Sequence, residues 1–337
     1  MTATQRDGVK QMQNGDPIWE RIRNETRDAA AAEPILASFL HATILNHEEL
    51  ECALSFHLAN LLDSPTAPAM MLREVILEAL RDDGDIRGAI RDDLNAILDR
   101  DPAASNKLAV VFLYPSFQVM LAYRLSHHIW NFGFRFIARL IMQLARILTG
   151  IEIHPAAKIG AGFFVDHGMG TVIGETAEIG RDVTLYHDVT LGGVMPAVDS
   201  DKQRASKRHP TLGDYVIVGA GAQILGPITV HRCARVGGNS VVTSDVPDGA
   251  TVVGVPARQM TKTTAPTAAT VNFSPYAVPD DRESDPRERT IAALVDEVQS
   301  QRARLTALEE QLTSAAVSPA ATKSTAKTTP RRDKTIS

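Results

Sequence analysis

Cysteine is scarce in this sequence, and the two that occur, Cys52 and Cys233, are far apart. They fit neither the disulfide framework of a small secreted domain nor the paired spacing of a zinc site. We expect both to be buried thiols in a reducing compartment. The fold must then depend on an apolar core, which the 44% apolar content of the 337 residues allows.

A long uninterrupted apolar run is also missing. The first sixteen residues are polar and lack the hydrophobic segment of a signal peptide. The most apolar stretch, residues 130–151, is interrupted by Arg135, Arg139 and Arg146, and each of these charges would be costly inside a membrane. We therefore expect an amphipathic helix packed on protein, no membrane partner, and the cytoplasm as the default location.

There is no excess of positive charge either. Lysine and arginine number 35 against 40 acidic residues, which gives a net charge of −5. This balance gives no support for a nucleic acid or an acidic membrane as the partner. The length is sufficient for two domains with tails.

What the sequence does contain is a repeat. Residues 153–242 place an aliphatic residue at every sixth position, with two interruptions, and glycine often follows it. Neither the 3.6-residue period of a helix nor the two-residue period of a strand predicts this spacing. It is typical of a parallel β-helix, in which each short strand forms one side of a coil and directs its aliphatic side chain into a shared core. The repeat consists of Ile153, Ile159, Val165, Ile173, Ile179, Leu185, Leu191, Leu212, Val218, Ile224, Val230, Val236 and Val242.

The two interruptions are the predicted functional regions. The first is a slip of two positions at 166–170, and the second is a polar and charged insertion at 194–207. A β-helix interior has no room for extra residues, so insertions are extruded as loops, where sites are usually found.

The rest of the chain divides by pattern. Asp16-Pro17 predicts a helix start, and apolar residues then recur at helical spacing to about residue 149. In 284–315 the apolar residues follow heptads with Gln301 at a core position, which is typical either of a short coiled coil or of a helix docked on the body. The expected domains are a disordered leader (1–15), an α-helical oligomerisation domain (16–149), the β-helix (150–262), a linker (263–283), a helix or short coiled coil (284–315) and a disordered tail (316–337).

Several polar residues are not required by the repeat. His167 lies at the slip, and Glu152 and His154 point outward on either side of the first core isoleucine. On a coil of about eighteen residues, Glu152 would stack beside His167, and a carboxylate beside an imidazole orients a general base. Asp101 precedes a proline and is therefore expected on a loop at a helix end.

Arg208 and His209 close the second interruption, where the guanidinium could hold a carboxylate through two hydrogen bonds. His154, His167 and His209 could instead form a zinc site between subunits. From the pattern alone, acyl transfer, metal-dependent hydration and a non-catalytic binding scaffold all remain open.

Over roughly residues 17–260, the sequence resembles the serine acetyltransferases, a family of the hexapeptide-repeat acyltransferase superfamily. The similar segments are IHPAAKIG (153–160), DHGMG (166–170), VIGET (172–176), TLGG (190–193), RHP (208–210) and GAGA (219–222), together with ASFLHAT (37–43) and RDP (100–102) in the helical part.

This resemblance implies an α+β fold, with an N-terminal α-helical domain followed by a left-handed parallel β-helix. It implies acetyl transfer from acetyl-CoA, as co-substrate, to L-serine, with no metal and no other cofactor. The residue roles that it implies are His167 as general base with Glu152 as its acidic partner, Asp101 and Asp166 at the substrate ammonium, Arg208 and His209 at the substrate carboxylate, and Gly193, Ala220 and Gly238 along the acetyl-CoA groove.

The resemblance also implies partners. A homotrimer, or a hexamer built as a dimer of trimers, would have its active sites between neighbouring solenoids, and L-cysteine would inhibit at the serine site. Many members end in isoleucine, which binds O-acetylserine sulfhydrylase, whereas here Ile336 is penultimate. The insertion at 194–207 is longer than in the family. The alternative function is acetyl transfer to another hydroxyl or amine acceptor.

Overall fold

The structure, a computed structural model, describes residues 16–65, 67–194, 206–260, 294–302 and 304–305. The predicted leader, linker and tail, most of the insertion at 194–207 and much of 284–315 lie outside the described residues. Two compact units divide the chain, residues 1–286 and 287–337.

The chain is helical from Pro17 to Thr149, as the apolar spacing predicts. A 3₁₀ turn (Pro34–Leu36) and a π-helical turn (His41–Leu45) flank the second helix. The α-helices are α1 (Pro17–Ala32), α2 (Ala37–Leu40), α3 (Leu50–Leu61), α4 (Ala69–Asp82), α5 (Gly84–Arg100), α6 (Lys107–Leu113), α7 (Pro115–Asn131) and α8 (Arg135–Thr149).

Short-range chemistry sets several of these helix ends. The carboxylate of Asp16 accepts a hydrogen bond from the N–H of Ile18 at 3.0 Å, and Pro17 takes the first helical position of α1. Asp83 caps α5 in the same way. The C-terminal end of α8 is at Gly150, which has a φ of 72°. A glycine with left-handed φ is a common way to end a helix.

Residues 152–260 form a three-sided parallel β-helix, closed by one antiparallel strand. Sheet I has the order β1-β4-β7-β10-β13, sheet II β11-β8-β5-β2, and sheet III β15-β14-β12-β9-β6-β3. The strands are β1 (Glu152–Ile153), β2 (Lys158–Ile159), β3 (Phe164–Val165), β4 (Val172–Ile173), β5 (Glu178–Ile179), β6 (Thr184–Leu185), β7 (Thr190–Gly192), β8 (Thr211–Leu212), β9 (Ile217–Val218), β10 (Gln223–Leu225), β11 (Thr229–Val230), β12 (Arg235–Val236), β13 (Val241–Val242), β14 (Thr251–Val253) and β15 (Arg258–Met260).

The predicted repeat is confirmed as the core of this β-helix. Every aliphatic residue of the series is buried, and residues of successive coils lie side by side, as Ile153, Ile173 and Leu191 do in sheet I. The coil from Ile153 to Ile173 is two residues longer than the next one, because the slip at 166–170 adds residues at one turn only. The core therefore continues through the slip without a break.

A buried ion pair fastens the helical domain to the first coil. Arg124 on α7 donates to both carboxylate oxygens of Asp93 on α5, at 3.0 Å each. The same guanidinium donates to the carbonyl of Gly160 at 2.6 Å, and Asp93 accepts from the N–H of Phe163 at 3.0 Å. Because every charge in this group has partners, the pair joins helix and solenoid without leaving a charge unsatisfied.

The cysteines match their prediction in part. Cys233 is a buried free thiol, but Cys52 on α3 is partly exposed. Among the described residues, no single helix is long and apolar enough to cross a membrane. The consecutive helices α6 and α7, which meet at a bend of 74°, reach the length and apolar composition of a membrane span only when they are taken together.

Candidate active site

The chain turns at three corners between the sheets, and the predicted site residues other than Glu152, which lies on β1, occupy two of them. The aspartate corner, between sheets III and I, comprises residues 166–171, 186–189, 219–222 and 237–240, together with Asp101 from the helical domain. The arginine corner, between sheets I and II, comprises residues 154–157, 174–177, 193–194 and 206–210.

His167 is extruded at the aspartate corner by an unusual turn. The N–H of Gly168 donates to the carbonyl of Asp166 at 2.6 Å, and His167, at the centre of this three-residue γ-turn, has a φ of 56°. Positive φ costs a residue with a Cβ, and five other non-glycine residues at turns of the described β-helix share it. The side chain of His167 is 71% exposed. The two-residue slip of the repeat therefore forms a turn that exposes the imidazole of His167 on the surface of the β-helix.

Two glycines permit this turn. Gly168 has a φ of 74°, and a Cβ placed on it would lie 2.5 Å from Cδ1 of Ile151 in the core. Gly170 has a φ of 78°, and a Cβ there would collide with the carboxylate of Asp188 in the next coil. Side chains at these positions would displace the turn that presents His167.

Asp101 and Asp166 lie near each other beside His167. Asp166 lies 3.7 Å from Nε2 of His167. Arg100, at the end of α5, donates to the carbonyl of Gly162 at 2.9 Å and to Asp182 at 2.8 Å. These bonds fix the end of α5 against the second coil, and so they position the carboxylate of Asp101, which follows directly.

The two carboxylates affect each other electrostatically. Burial raises the pKa of Asp166, Asp101 adds to the rise, and His167 opposes it. Burial, and a hydrogen bond to Asp101, raise the pKa of Tyr114, which packs at the same corner. Two carboxylates held together in this way are suited to bind a cation, because a bound positive charge relieves their mutual repulsion.

At the arginine corner, Thr176 organises the returning loop. Its Oγ1 accepts hydrogen bonds from the N–H groups of Arg208 and His209, at 3.0 and 3.1 Å. Its own N–H donates to Nδ1 of His209 at 3.1 Å, and its carbonyl accepts from Lys207 at 2.7 Å. The end of the second interruption is therefore held in one conformation by one threonine.

His209 is buried and neutral in this position. Burial, aided by the neighbouring Arg208, lowers the pKa of His209 to about 4. Because Nδ1 accepts from Thr176, the proton of the neutral ring is on Nε2, where it can be donated. The ring packs so closely over Gly174 that a Cβ there would lie 2.0 Å from its Cδ2.

Arg208 forms an ion pair with Glu175 on the same corner. Burial alone would raise the pKa of Glu175, but the hydrogen bond from Arg208 and the charge of His154 outweigh it and lower that pKa. The guanidinium is therefore oriented before any ligand binds. His154, half-buried, packs edge-on against Trp130 with 5.1 Å between ring centroids.

One predicted contact is not formed in the single chain. Glu152 does not stack beside His167, because the slip lengthens the first coil and brings Glu152 into register with Val172. Its carboxylate forms an ion pair with Arg146 at 3.2 Å, whereas His167 has its ion pair with Asp166.

The positions predicted to bind acetyl-CoA divide between the same two corners. Ala220 and Gly238 lie at the aspartate corner, in the coils beyond His167. A Cβ on Gly238 would approach the carbonyl of Ala220 to 3.2 Å, so a larger residue at 238 would crowd the space beside Ala220. Gly193 lies at the arginine corner, beside the carbonyl of Arg208.

Sequence reasoning missed four neighbours of these residues. His187 lies one coil beyond His167, with 6.0 Å between the ring centroids, and its Nδ1 is buried with no partner among the described residues. Thr176 and Glu175 are part of the VIGET segment, but nothing in the repeat marks them as polar anchors. Tyr114 comes from the helical domain, where apolar spacing carries no signal for a site.

The two corners are well separated within one chain. A strand of sheet I with its flanking residues, such as 171–174, leads from one corner to the other, and the three steps from residue 171 to residue 174 span about 10 Å. The three histidines of the alternative zinc site are divided in the same way, and no metal-binding group of three or more side chains forms among the residues that the structure describes.

A β-helix with an exposed imidazole, paired carboxylates and a pre-oriented arginine on its corners is consistent with a hexapeptide-repeat acyltransferase. The family described as "Serine acetyltransferase, N-terminal" matches residues 18–122. The serine acetyltransferase of Escherichia coli (strain K12) is 43% identical over 241 residues, which is 72% of this chain and 86% of the relative.

Solved structures agree. The serine acetyltransferase of Neisseria gonorrhoeae in complex with serine is 41% identical, with a TM-score of 0.68 over 73% of this chain and 99% of that one. A serine acetyltransferase in complex with cysteine is 40% identical, with a TM-score of 0.69 over 72% of this chain and 98% of that one. The chain belongs to the serine acetyltransferase family.

Proposed function

We propose that this protein transfers the acetyl group of acetyl-CoA to the hydroxyl of L-serine, giving O-acetyl-L-serine and CoA for cysteine biosynthesis. The observation that carries the proposal is the charge of the two corners. Asp101 and Asp166 suit an ammonium group, and Arg208 with neutral His209 suits a carboxylate, so together they complement an amino-acid zwitterion.

His167 is the proposed general base. The serine hydroxyl is a poor nucleophile at neutral pH, and a positioned base contributes about 10²–10⁴-fold. His167 takes the hydroxyl proton as the serine oxygen attacks the thioester carbonyl, the C–O bond forms, the C–S bond breaks, and the proton passes to the sulfur of CoA. Direct attack is the simpler scheme, because the described side chains beside His167 are those of Asp166 and His187, and neither carries a thiol or a hydroxyl.

A complete site requires two copies of the chain. The ammonium and carboxylate of an amino acid are attached to the same carbon, so one molecule cannot bridge corners that are about 10 Å apart. The aspartate corner of one copy would face the arginine corner of its neighbour, in a homotrimer or in a hexamer of two trimers. The same pairing would bring Gly193 of one copy towards Ala220 and Gly238 of the other, around the pantetheine arm of acetyl-CoA.

The role of Glu152 depends on which ion pair forms in that assembly. As the acidic partner of His167, it would have to leave Arg146, its partner in the single chain. Arg146→Ala removes that alternative partner and should not lower kcat if Glu152 serves His167, whereas Glu152→Gln should lower it. Equal losses in both variants would assign Glu152 to the helix–solenoid junction instead.

L-Cysteine is the proposed feedback inhibitor at the same site. It has the ammonium and carboxylate of L-serine, and a thiol takes the place of the reacting hydroxyl. Inhibition should therefore be competitive with L-serine. The Arg208→Ala variant should bind both L-serine and L-cysteine more weakly than the wild type does. If L-cysteine still bound the Arg208→Ala variant with wild-type affinity in a calorimetric titration, it would have to bind elsewhere.

Thiol release from acetyl-CoA with a panel of acceptors tests the function. L-Serine should support turnover, whereas 3-hydroxypropionate, which lacks the ammonium, and ethanolamine, which lacks the carboxylate, should not. Turnover with a sugar hydroxyl or another amine, together with failure of L-serine, would favour the alternative acceptor. No release with any acceptor would contradict an acetyltransferase.

A further inference from the structure

The second unit of the chain contains a helix that the proposed function does not use. The structure describes it over 294–302 and 304–305. Leu294, Val298 and Leu305 are 60%, 53% and 58% exposed. Their spacings of four and seven residues place them on one stripe of the helix, and so the stripe is an apolar surface that has no partner within the described residues.

This stripe has the periodicity of a coiled-coil seam. With Val298 and Leu305 at successive a positions, Leu294 and Gln301 occupy d positions. In the sequence the same 3–4 spacing continues at Ile291, Leu308 and Leu312, which lie outside the described residues. The sequence pattern therefore covers about three heptads, the short end of the range for a coiled coil.

The flanking charges specify an orientation. Glu297 and Arg304 are at g positions, Arg302 is at an e position, and Glu309, outside the described residues, is at the next e position. In a parallel coiled coil each g residue faces the e residue five positions later on the partner. Glu297 would then face Arg302 of a second copy, and this contact joins opposite charges.

We infer that this helix associates in parallel and in register with the same segment of other copies of this chain. Gln301 fixes the register, because a shift by one heptad would place its amide against a leucine layer, where it cannot be paired. In the single helix that amide donates to Glu297 at 2.9 Å, so it is satisfied until the seam closes. The inference does not depend on the acetyltransferase activity.

Cysteine cross-linking of the full-length protein tests the orientation. Val298→Cys places a thiol at an a position, where parallel, in-register copies bring it against itself. Ser300→Cys is the matched control, since position 300 lies on the outer face of the same helix. In a glutathione buffer, the fraction of disulfide-linked chains gives the effective concentration of one thiol near another. This effective concentration should be about tenfold or more higher for the Val298→Cys variant than for the Ser300→Cys variant. An antiparallel pair, or a helix that packs elsewhere, would leave 298 no better than 300.

Charge reversal tests the partner contacts. In the Val298→Cys background, Glu297→Arg should reduce cross-linking because it puts arginine against Arg302, and adding Arg302→Glu should restore it. Asp296→Arg, at an outward position, makes the same change of charge and should have no effect. If the double variant fails to recover, or Asp296→Arg is as harmful as Glu297→Arg, the assigned heptad register is wrong.

Discussion

Replacing His167 by glycine and by alanine should separate its chemical role from its structural cost. The residue has a φ of 56° at the centre of a γ-turn, a conformation that glycine adopts freely and other residues do not. Both replacements remove the imidazole. Only the glycine also removes the backbone strain, and so the two variants should be equally inactive but differ in stability.

The magnitude follows from two opposing effects. A left-handed conformation costs a residue with a Cβ about 1–2 kcal/mol. Glycine gives back about 0.4–1 kcal/mol of this, because its unfolded chain has more freedom to lose. His167→Gly should therefore be about 0.5–1 kcal/mol more stable than His167→Ala, and both should lose about 10²–10⁴-fold in kcat.

Urea unfolding at equal chain concentration, combined with thiol release from acetyl-CoA, measures both quantities. His187 lies one coil beyond and is not among the residues with positive φ. There the order should reverse, with His187→Gly less stable than His187→Ala. If glycine also proves the less stable replacement at 167, the strained turn is wrong; if His167→Ala keeps wild-type kcat, the general base is wrong.

Three further changes test other parts of the structure. Burial lowers the pKa of His57 to about 4, below the ordinary 6.5, so its stabilising neutral state is fully present above pH 6.5 and is lost as the pH falls towards 4. Relative to His57→Phe, the wild type should therefore lose about 2 kcal/mol of unfolding free energy between pH 7 and pH 5, and parallel urea midpoints at the two pH values would contradict this. Arg124→Met should cost about 3–5 kcal/mol by leaving the carboxylate of Asp93 buried and unpaired, and the double variant with Asp93→Leu should recover much of that loss in the same assay. Gly238→Val should raise KM for acetyl-CoA with little change in KM for L-serine, because the added side chain crowds the space beside Ala220; a selective rise for serine would move the acetyl-CoA groove elsewhere.

The core could be predicted from the sequence because one physical rule repeats along it. Each aliphatic of the series must reach the axis, so the spacing fixes which residues stack, as Ile173 on Ile153. The same rule located the slip, since an extra pair of residues cannot enter the core and must leave the wall. His167 was found in this way, as the residue that the repeat does not need.

Contacts that depend on side-chain direction could not be predicted from the spacing of the repeat. The position of Glu152 required the true length of the first coil, which the slip itself changes. Thr176 and Tyr114 act through hydrogen bonds between segments that are distant in sequence. The division of the site between two corners also needs three-dimensional geometry, because the spacing of residues along a chain does not reveal which corner each one faces.

Mixing two inactive variants tests the central claim that one copy supplies the general base, His167, and its neighbour supplies Arg208 and His209 for the substrate carboxylate. His167→Ala lacks an active aspartate corner, and Arg208→Ala lacks an active arginine corner. When the two chains are co-expressed in equal amounts and assemble at random, about a quarter of the interfaces pair two intact corners. Acetyl transfer to L-serine should then return to about a quarter of the wild-type rate, although each variant alone is inactive. No recovery in mixed oligomers would mean that both corners of each site come from one chain, and would contradict the account.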